Sequence, residues 1–198
     1  DEGFRSAGDL LLSEMMAGPV GSIPDEEWFE IYNPGTTDLY LDGATFESSC
    51  DLGGEFVLGV GGLVLPAGGY AVLCYSDTSL GTLCDYVYGV DQNGSSQQGE
   101  SYDTDFCLDP ADGGILVVKL VGTSLDAVAY ENDSNGWPAY EKGISHALDP
   151  SLLTATLNNL GSNWCYPGSS EVYDSSQGNI GTPGSAAGSC NATIPNGN

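Results

Sequence analysis

Short runs of alternating hydrophobic and polar residues, separated by glycine- and proline-bearing breaks, recur along most of this chain. That period of two predicts strands over Asp9–Met16, Trp28–Tyr32, Leu39–Glu47, Glu55–Leu58, Tyr70–Tyr75, Cys84–Tyr88, Gly114–Val121 and Leu125–Tyr130. In Gly114–Val121, Leu116, Val118 and Leu120 share one face while Lys119 points the other way. In Trp28–Tyr32, Phe29 and Ile31 lie opposite Trp28, Glu30 and Tyr32. Between the runs, Asn33-Pro34-Gly35, Leu65–Gly69, Asp109–Gly114 and Asn135-Gly136-Trp137-Pro138 read as turns, because glycine supplies positive φ and proline fixes φ. The polar, Gly/Ser/Gln-rich stretch Val90–Asp105 reads as a long surface loop, and the chain from Asn158 onward reads as loop-like. Helical periodicity is nearly absent and no repeat of solenoid or propeller length is visible. The expectation is an all-β sandwich.

Composition narrows the class. With 198 residues, 40% of them hydrophobic, the chain can fill the core of one domain. It carries 28 Asp and Glu against 3 Lys and Arg, a formal charge of −25. That leaves little to neutralise phosphates, so nucleic acid is excluded as a partner. The apolar runs fall far short of the ~20 residues of a membrane-spanning helix, so no membrane insertion is expected. Asp1–Arg5 lacks the basic and apolar regions of a signal peptide, which predicts a mature chain if the protein is secreted.

The cysteines, Cys50, Cys74, Cys84, Cys107, Cys165 and Cys190, show none of the close spacing of zinc, iron–sulfur or haem sites. Their even number points to disulfides and an extracellular or cell-surface location. The near neighbours Cys74 and Cys84 and the late pair Cys165 and Cys190 suit pairing, which leaves Cys50 with Cys107. Spacing alone does not choose among the ~15 possible connectivities.

Taken in order, several segments resemble the lamin tail domain family in its secreted bacterial form. They are Leu11–Met16, Glu27–Pro34, Asp38–Gly43, Leu65–Leu73, Gly114–Val118, Leu125–Tyr130, Trp137-Pro138, Asn163-Trp164-Cys165 and Gly181–Gly184. The resemblance implies an immunoglobulin-like β-sandwich with long loops and disulfides over residues 9–186, flanked by an N-terminal arm (1–8) and a C-terminal tail (187–198). Glu14 and Glu30 match two carboxylates of the family. On adjoining strands they would accept hydrogen bonds from turn amides or hydroxyls, as would Asp126 at the start of its strand. Trp28, Trp137 and Trp164 read as packing anchors. A carbohydrate platform would instead need coplanar exposed rings.

Candidate chemistry is sparse. A nucleophile–His–acid triad would have to use His146, since no other imidazole exists, and no nucleophile motif accompanies it. A solvated or turn-packed histidine is the simpler reading, and no enzyme is expected. Lamin tail domains usually accompany catalytic domains in other chains, and no such block is visible here. No cofactor is required. Calcium is the one ion to consider, as a structural stiffener of loops: Glu131, Asp133 and Asn135 place oxygens at alternate positions before a glycine, and Asp103 and Asp105 form a second cluster. Solvated acidic turns are the plainer account of both. Asn93, Asn132 and Asn191 fit glycosylation sequons, a pattern short enough to arise by chance.

These readings lead to a non-catalytic secreted structural protein. It would self-associate, or bind other cell-surface proteins, through β-strand edges or through the arms Asp1–Asp9 and Ser189–Asn198, building a fibre, appendage or surface coat. The alternative is a calcium-assisted adhesion module that binds glycan or protein through loops such as Val90–Asp105.

Overall fold

The computed structural model describes residues 5–21, 26–49, 53–76, 80–89, 106–174, 176–191 and 193. Its strands, in chain order, are β1 (Leu11–Met16), β2 (Trp28–Tyr32), β3 (Leu39–Tyr40), β4 (Thr45–Ser48), β5 (Gly54–Val57), β6 (Val64–Leu65) and β7 (Tyr70–Cys74). They continue as β8 (Tyr86–Val87), β9 (Gly114–Leu120), β10 (Thr123–Tyr130), β11 (His146–Leu148), β12 (Trp164–Cys165), β13 (Val172–Asp174) and β14 (Asn179–Ile180). Short 3-10 turns occupy Gly81–Leu83 and Gly161–Asn163, and the described residues contain no α-helix. The protein is an all-β sandwich.

One sheet runs β12–β11–β1–β2–β7–β8 and the other β10–β9–β4–β5, with β3–β6 and β13–β14 as separate ribbons. The period-two pattern explains how the sheets meet. Phe29 and Ile31 of β2 face Phe46, Phe56, Leu116, Val118 and Val128 of the second sheet in one continuous core. Phe46 and Phe56, register partners across β4 and β5, stack at 4.9 Å, and Phe29 approaches Phe46 at 5.5 Å.

In β1 the alternation slips. Leu10 and Leu12 point into the core and so does Met15, an odd step from Leu12. A register shift between Leu12 and Glu14 absorbs the additional residue, as a β-bulge does. Beyond the bulge, Glu14 and Met16 face away from the second sheet. That outer face is covered too: every residue of β1 is buried. Met16, Trp28, Val72, Cys74, Leu80 and Val87 form a second apolar cluster there, with Tyr173 packed against it. Trp28 meets Tyr173 edge-on at 5.6 Å and its Nε1 donates to the Tyr173 hydroxyl at 3.1 Å. The segment beyond Asn158, expected to be loop-like, therefore supplies β12, β13 and β14 and a third layer.

Other expectations are corrected in detail. The strand expected over Leu39–Glu47 is split into β3 and β4, because Ala44 N turns back to Leu41 O at 2.9 Å and Gly43 takes a φ of 73°. Cys84–Tyr88 is strand only at β8; Cys84 closes the preceding 3-10 turn by donating its N–H to Gly81 O. Within the expected C-terminal tail, the described residues are tied to the sandwich: Asn191 and Tyr166 exchange backbone hydrogen bonds of 2.9 and 3.0 Å, and Ala187 is buried.

Disulfides join Cys74 to Cys84 (Cα–Cα 5.9 Å) and Cys165 to Cys190 (Cα–Cα 5.3 Å). The first pins β7 to the turn before β8; the second ties the end of the cover to β12. Cys107 is also disulfide-bonded. Its expected partner Cys50, and the expected loop Val90–Asp105, lie outside the described residues.

Candidate functional site

The outer face of the six-stranded sheet carries a cluster of carboxylates built by the strand register. Glu14 of β1 lies directly opposite Glu30 of β2, and both are buried. The segment that follows β14 runs over them and satisfies them. Glu14 accepts hydrogen bonds from Thr182 N at 2.9 Å, from the Thr182 hydroxyl and from the Ser145 hydroxyl. Glu30 accepts from Gly184 N at 2.8 Å and from the Ser13 hydroxyl at 2.7 Å, Ser13 being the bulge residue. Gly181 permits a close crossing, since a Cβ there would stand 3.0 Å from Glu14 Oε1, Ser145 Oγ and the Trp28 ring. Burial pushes the Glu14 carboxyl up to about 7, against the pull of those hydrogen bonds. Glu30 is raised well above the ordinary range, by burial first and then by the neighbouring Glu14.

Asp126 does related work between the sheets. Its Oδ2 accepts from Leu12 N at 2.7 Å and from Asn158 Nδ2 at 2.6 Å, and burial lifts its carboxyl to about 6. Glu27, which sequence reasoning did not single out beyond its place in a motif, is a further buried carboxyl. Its Oε2 accepts from Leu108 N at 3.1 Å, its Oε1 has no hydrogen-bond partner, and burial raises it to about 8. Asn158 was missed as well, and it is buried, linking Asp126 to Trp164 Nε1 through its own carbonyl at 2.7 Å. No local pattern marks either residue, because each depends on a distant strand for its burial.

The tryptophans are all buried, so none offers a ring for stacking on a sugar. Trp137 and Trp164 lie 5.0 Å apart at 30°. His146 sits beside them, 6.3 Å from Trp137 and 5.7 Å from Tyr166, with Nε2 at 3.3 Å from Ala139 O. It is packed in this aromatic corner and not solvated, and burial holds its pKa down to about 4. Its Nε2 thus approaches a carbonyl oxygen rather than a nucleophile.

The acidic turns before β9 and after β10 lie side by side. Asp109 Oδ1 caps Ala111 N and Asp112 N, and Tyr130 OH accepts from Asp109 N at 2.9 Å. A groove of about 410 Å³ between the turns is lined by Asp112, Glu131, Asn132 and Ser134 among others. In the turn of Glu131, Asp133 and Asn135, Glu131 accepts from the Ser134 hydroxyl and from Asn135 Nδ2 at 2.8 Å, so Asn135 presents its nitrogen to it. Among the described residues no group of three or more His, Cys, Asp or Glu side chains is arranged to hold a metal ion. Asp103 and Asp105, like the sequon residue Asn93, lie outside the described residues. Asn132 and Asn191 use their side-chain nitrogens in hydrogen bonds to Ala111 O and Tyr166 O. No described helix is long and apolar enough to cross a membrane.

Comparison with protein-family models gives no match, and comparison with curated proteins gives none. Among solved structures, a DUF4876 family protein from Bacteroides thetaiotaomicron is similar, with a TM-score of 0.53 at 15% identity over 72% of this chain and 63% of that one. The chain thus spans less than two thirds of that protein's length, and what the two have in common is the fold.

Proposed function

We propose that this chain is a non-catalytic, secreted structural module that associates through the four-stranded sheet, by its β5 edge and outer face, into an extracellular fibre, appendage or coat. The observation that carries this reading is the asymmetry of the sandwich. The C-terminal layer packs over the outer face of the six-stranded sheet, whereas the outer face of the other presents Ile115 and Ala129 exposed, with Val57, Val117 and Ala127 half-exposed beside them. The strand β5 is the last of its sheet, and a terminal strand offers backbone groups for pairing with another chain. Both arms are folded back where they are described: Gly8 N donates to Leu125 O, and Cys190 is bonded to Cys165. This favours the edge over the arms as the contact. The disulfides are compatible with an oxidising compartment, and the motifs that resemble lamin tail domains support a sandwich without catalytic residues.

A charge of −25 and the exposed Glu55 on β5 oppose close approach of two copies. Association should therefore depend on salt, whose screening length falls from ~10 Å at 0.1 M to ~3 Å at 1 M. Sedimentation and electron microscopy across that range test the reading. Ordered assemblies at high salt, lost in Glu55→Pro with the monomer still folded, are the expected outcome. Single particles at every salt concentration would refute it.

A second reading, calcium-assisted adhesion, draws support from the groove lined by Asp112 and Glu131. Calcium that neither raises the melting temperature nor changes retention on a glycan array would remove it.

A further inference from the structure

The Glu14–Glu30 pair is more than a packing detail, because nothing positive accompanies it. Their hydrogen-bond partners are hydroxyls and backbone amides: Ser13 from β1, Ser145 from the residue before β11, and Thr182 and Gly184 from the cover. The other titratable groups that act on the pair only add to the difficulty. Glu171 in the cover repels Glu14, Tyr173 of β13 lies in the field of Glu14, and Tyr70 of β7 lies in the field of Glu30. Lys119, the one cation in a described salt bridge, pairs with Glu47 on the other sheet. Two ionised carboxylates side by side in a buried, cation-free site repel each other strongly, and the usual resolution is that one keeps its proton.

The cover bridges this pair. Thr182 is bonded to Glu14 and Gly184 to Glu30, so one short segment spans both carboxyls. Beneath it lie Trp28 and the rest of the apolar cluster. The Cys165–Cys190 disulfide holds the far end of the segment to the sheet, so the stretch between β14 and Cys190 can lift without leaving the molecule.

We propose that Gly181–Ser185 is a proton-held clasp: a carboxyl proton on the Glu14–Glu30 pair favours the seated segment, and its loss as pH rises makes transient lifting of the segment off the outer face of the six-stranded sheet more frequent. The direction follows from linkage. Lifting the segment exposes the carboxyls to water, where they ionise at ordinary carboxylate values, so opening releases a proton that the closed form retains. Each proton so released raises the opening constant by about tenfold per pH unit between the open and closed pKa values.

Hydrogen exchange of a peptide spanning residues 179–188, corrected for intrinsic chemistry and referenced to a β2 peptide, reads the opening directly. From about pH 5 to about pH 7 the intact protein should show a rise on the order of a hundredfold for one proton, with β2 unchanged. Glu30→Gln, which mimics the protonated acid permanently, should keep the segment closed and lower the slope; Glu14→Gln is the second variant of the same kind. Gly181→Val, which forces a side chain onto Glu14 and Trp28, should open the segment at every pH. Opening independent of pH in the unaltered protein would overturn the clasp, as would an unchanged slope in both glutamine variants.

Discussion

Asp126 Oδ2 receives the backbone N–H of Leu12 at 2.7 Å, at the point where the strands of both residues depart from regular register. A bulge leaves a backbone donor without its ladder partner. Here a carboxylate from the second sheet supplies the missing acceptor, and Asn158 Nδ2 holds that carboxylate in place at 2.6 Å. The contact links the two sheets through a polar group inside an apolar core. Asp126→Ala should therefore destabilise the protein by about 3 kcal/mol, since it strands buried donors on both Leu12 and Asn158. Denaturant unfolding measures this. A change under about 1 kcal/mol would mean that water replaces the carboxylate.

Stability should fall as pH rises from the acid side. Buried Glu27 and Glu14 are raised from 4.5 to about 8 and about 7, and Asp126 from 3.8 to about 6. For each, the stability present below the unfolded pKa is lost as pH climbs to the folded value. His146, lowered from 6.5 to about 4, acts in the opposite direction, but only below about 6.5. Between about pH 6.5 and pH 8 the carboxyls act alone, so the melting temperature should drop across that window. Glu27→Gln should flatten the drop. A melting temperature that rises across the window would contradict the buried, cation-free placement of these groups.

Reduction should loosen the C-terminal layer before the rest. The Cys165–Cys190 bridge closes a span of 25 residues, for which chain entropy gives about 3.5 kcal/mol. Cys190 is exposed whereas Cys74 is fully buried, so mild reductant should reach the late bridge first. Mass spectrometry of alkylated protein, with a melting curve on the same sample, checks both the order and the loss.

Trp164→Ala should cost about 3–5 kcal/mol, because its ring packs on Trp137 at 5.0 Å and its Nε1 donates to Asn158 O. The same change should raise the pKa of His146 toward its ordinary value as the aromatic corner opens to water. A proton NMR titration of the single histidine reports it without ambiguity.

The sequence alone determined the sandwich class, most of the long strands and the nearest-neighbour disulfides, because these depend on local rules. Alternation in Gly114–Leu120 and Trp28–Tyr32 follows from which face meets the core, and Cys74 and Cys84 are too close in the chain to stray far apart. The resemblance to lamin tail domain motifs leads to the expectation that Glu14, Glu30 and Asp126 serve as framework. Tertiary structure alone decided that Glu14 stands opposite Glu30, that Thr182 and Gly184 bind them, and that the stretch beyond Asn158 forms a covering layer. The short strands there, such as β13 and β14, are stabilised by Tyr173 on Trp28 and by backbone bonds to Gly143 and Ser145. Contacts between residues more than a hundred positions apart leave no period in the chain. The burial of Glu27 and the packing of His146 against Trp137 and Tyr166 are also tertiary, although their partners lie nearer in the chain, because turns and strand pairing decide which side chains meet.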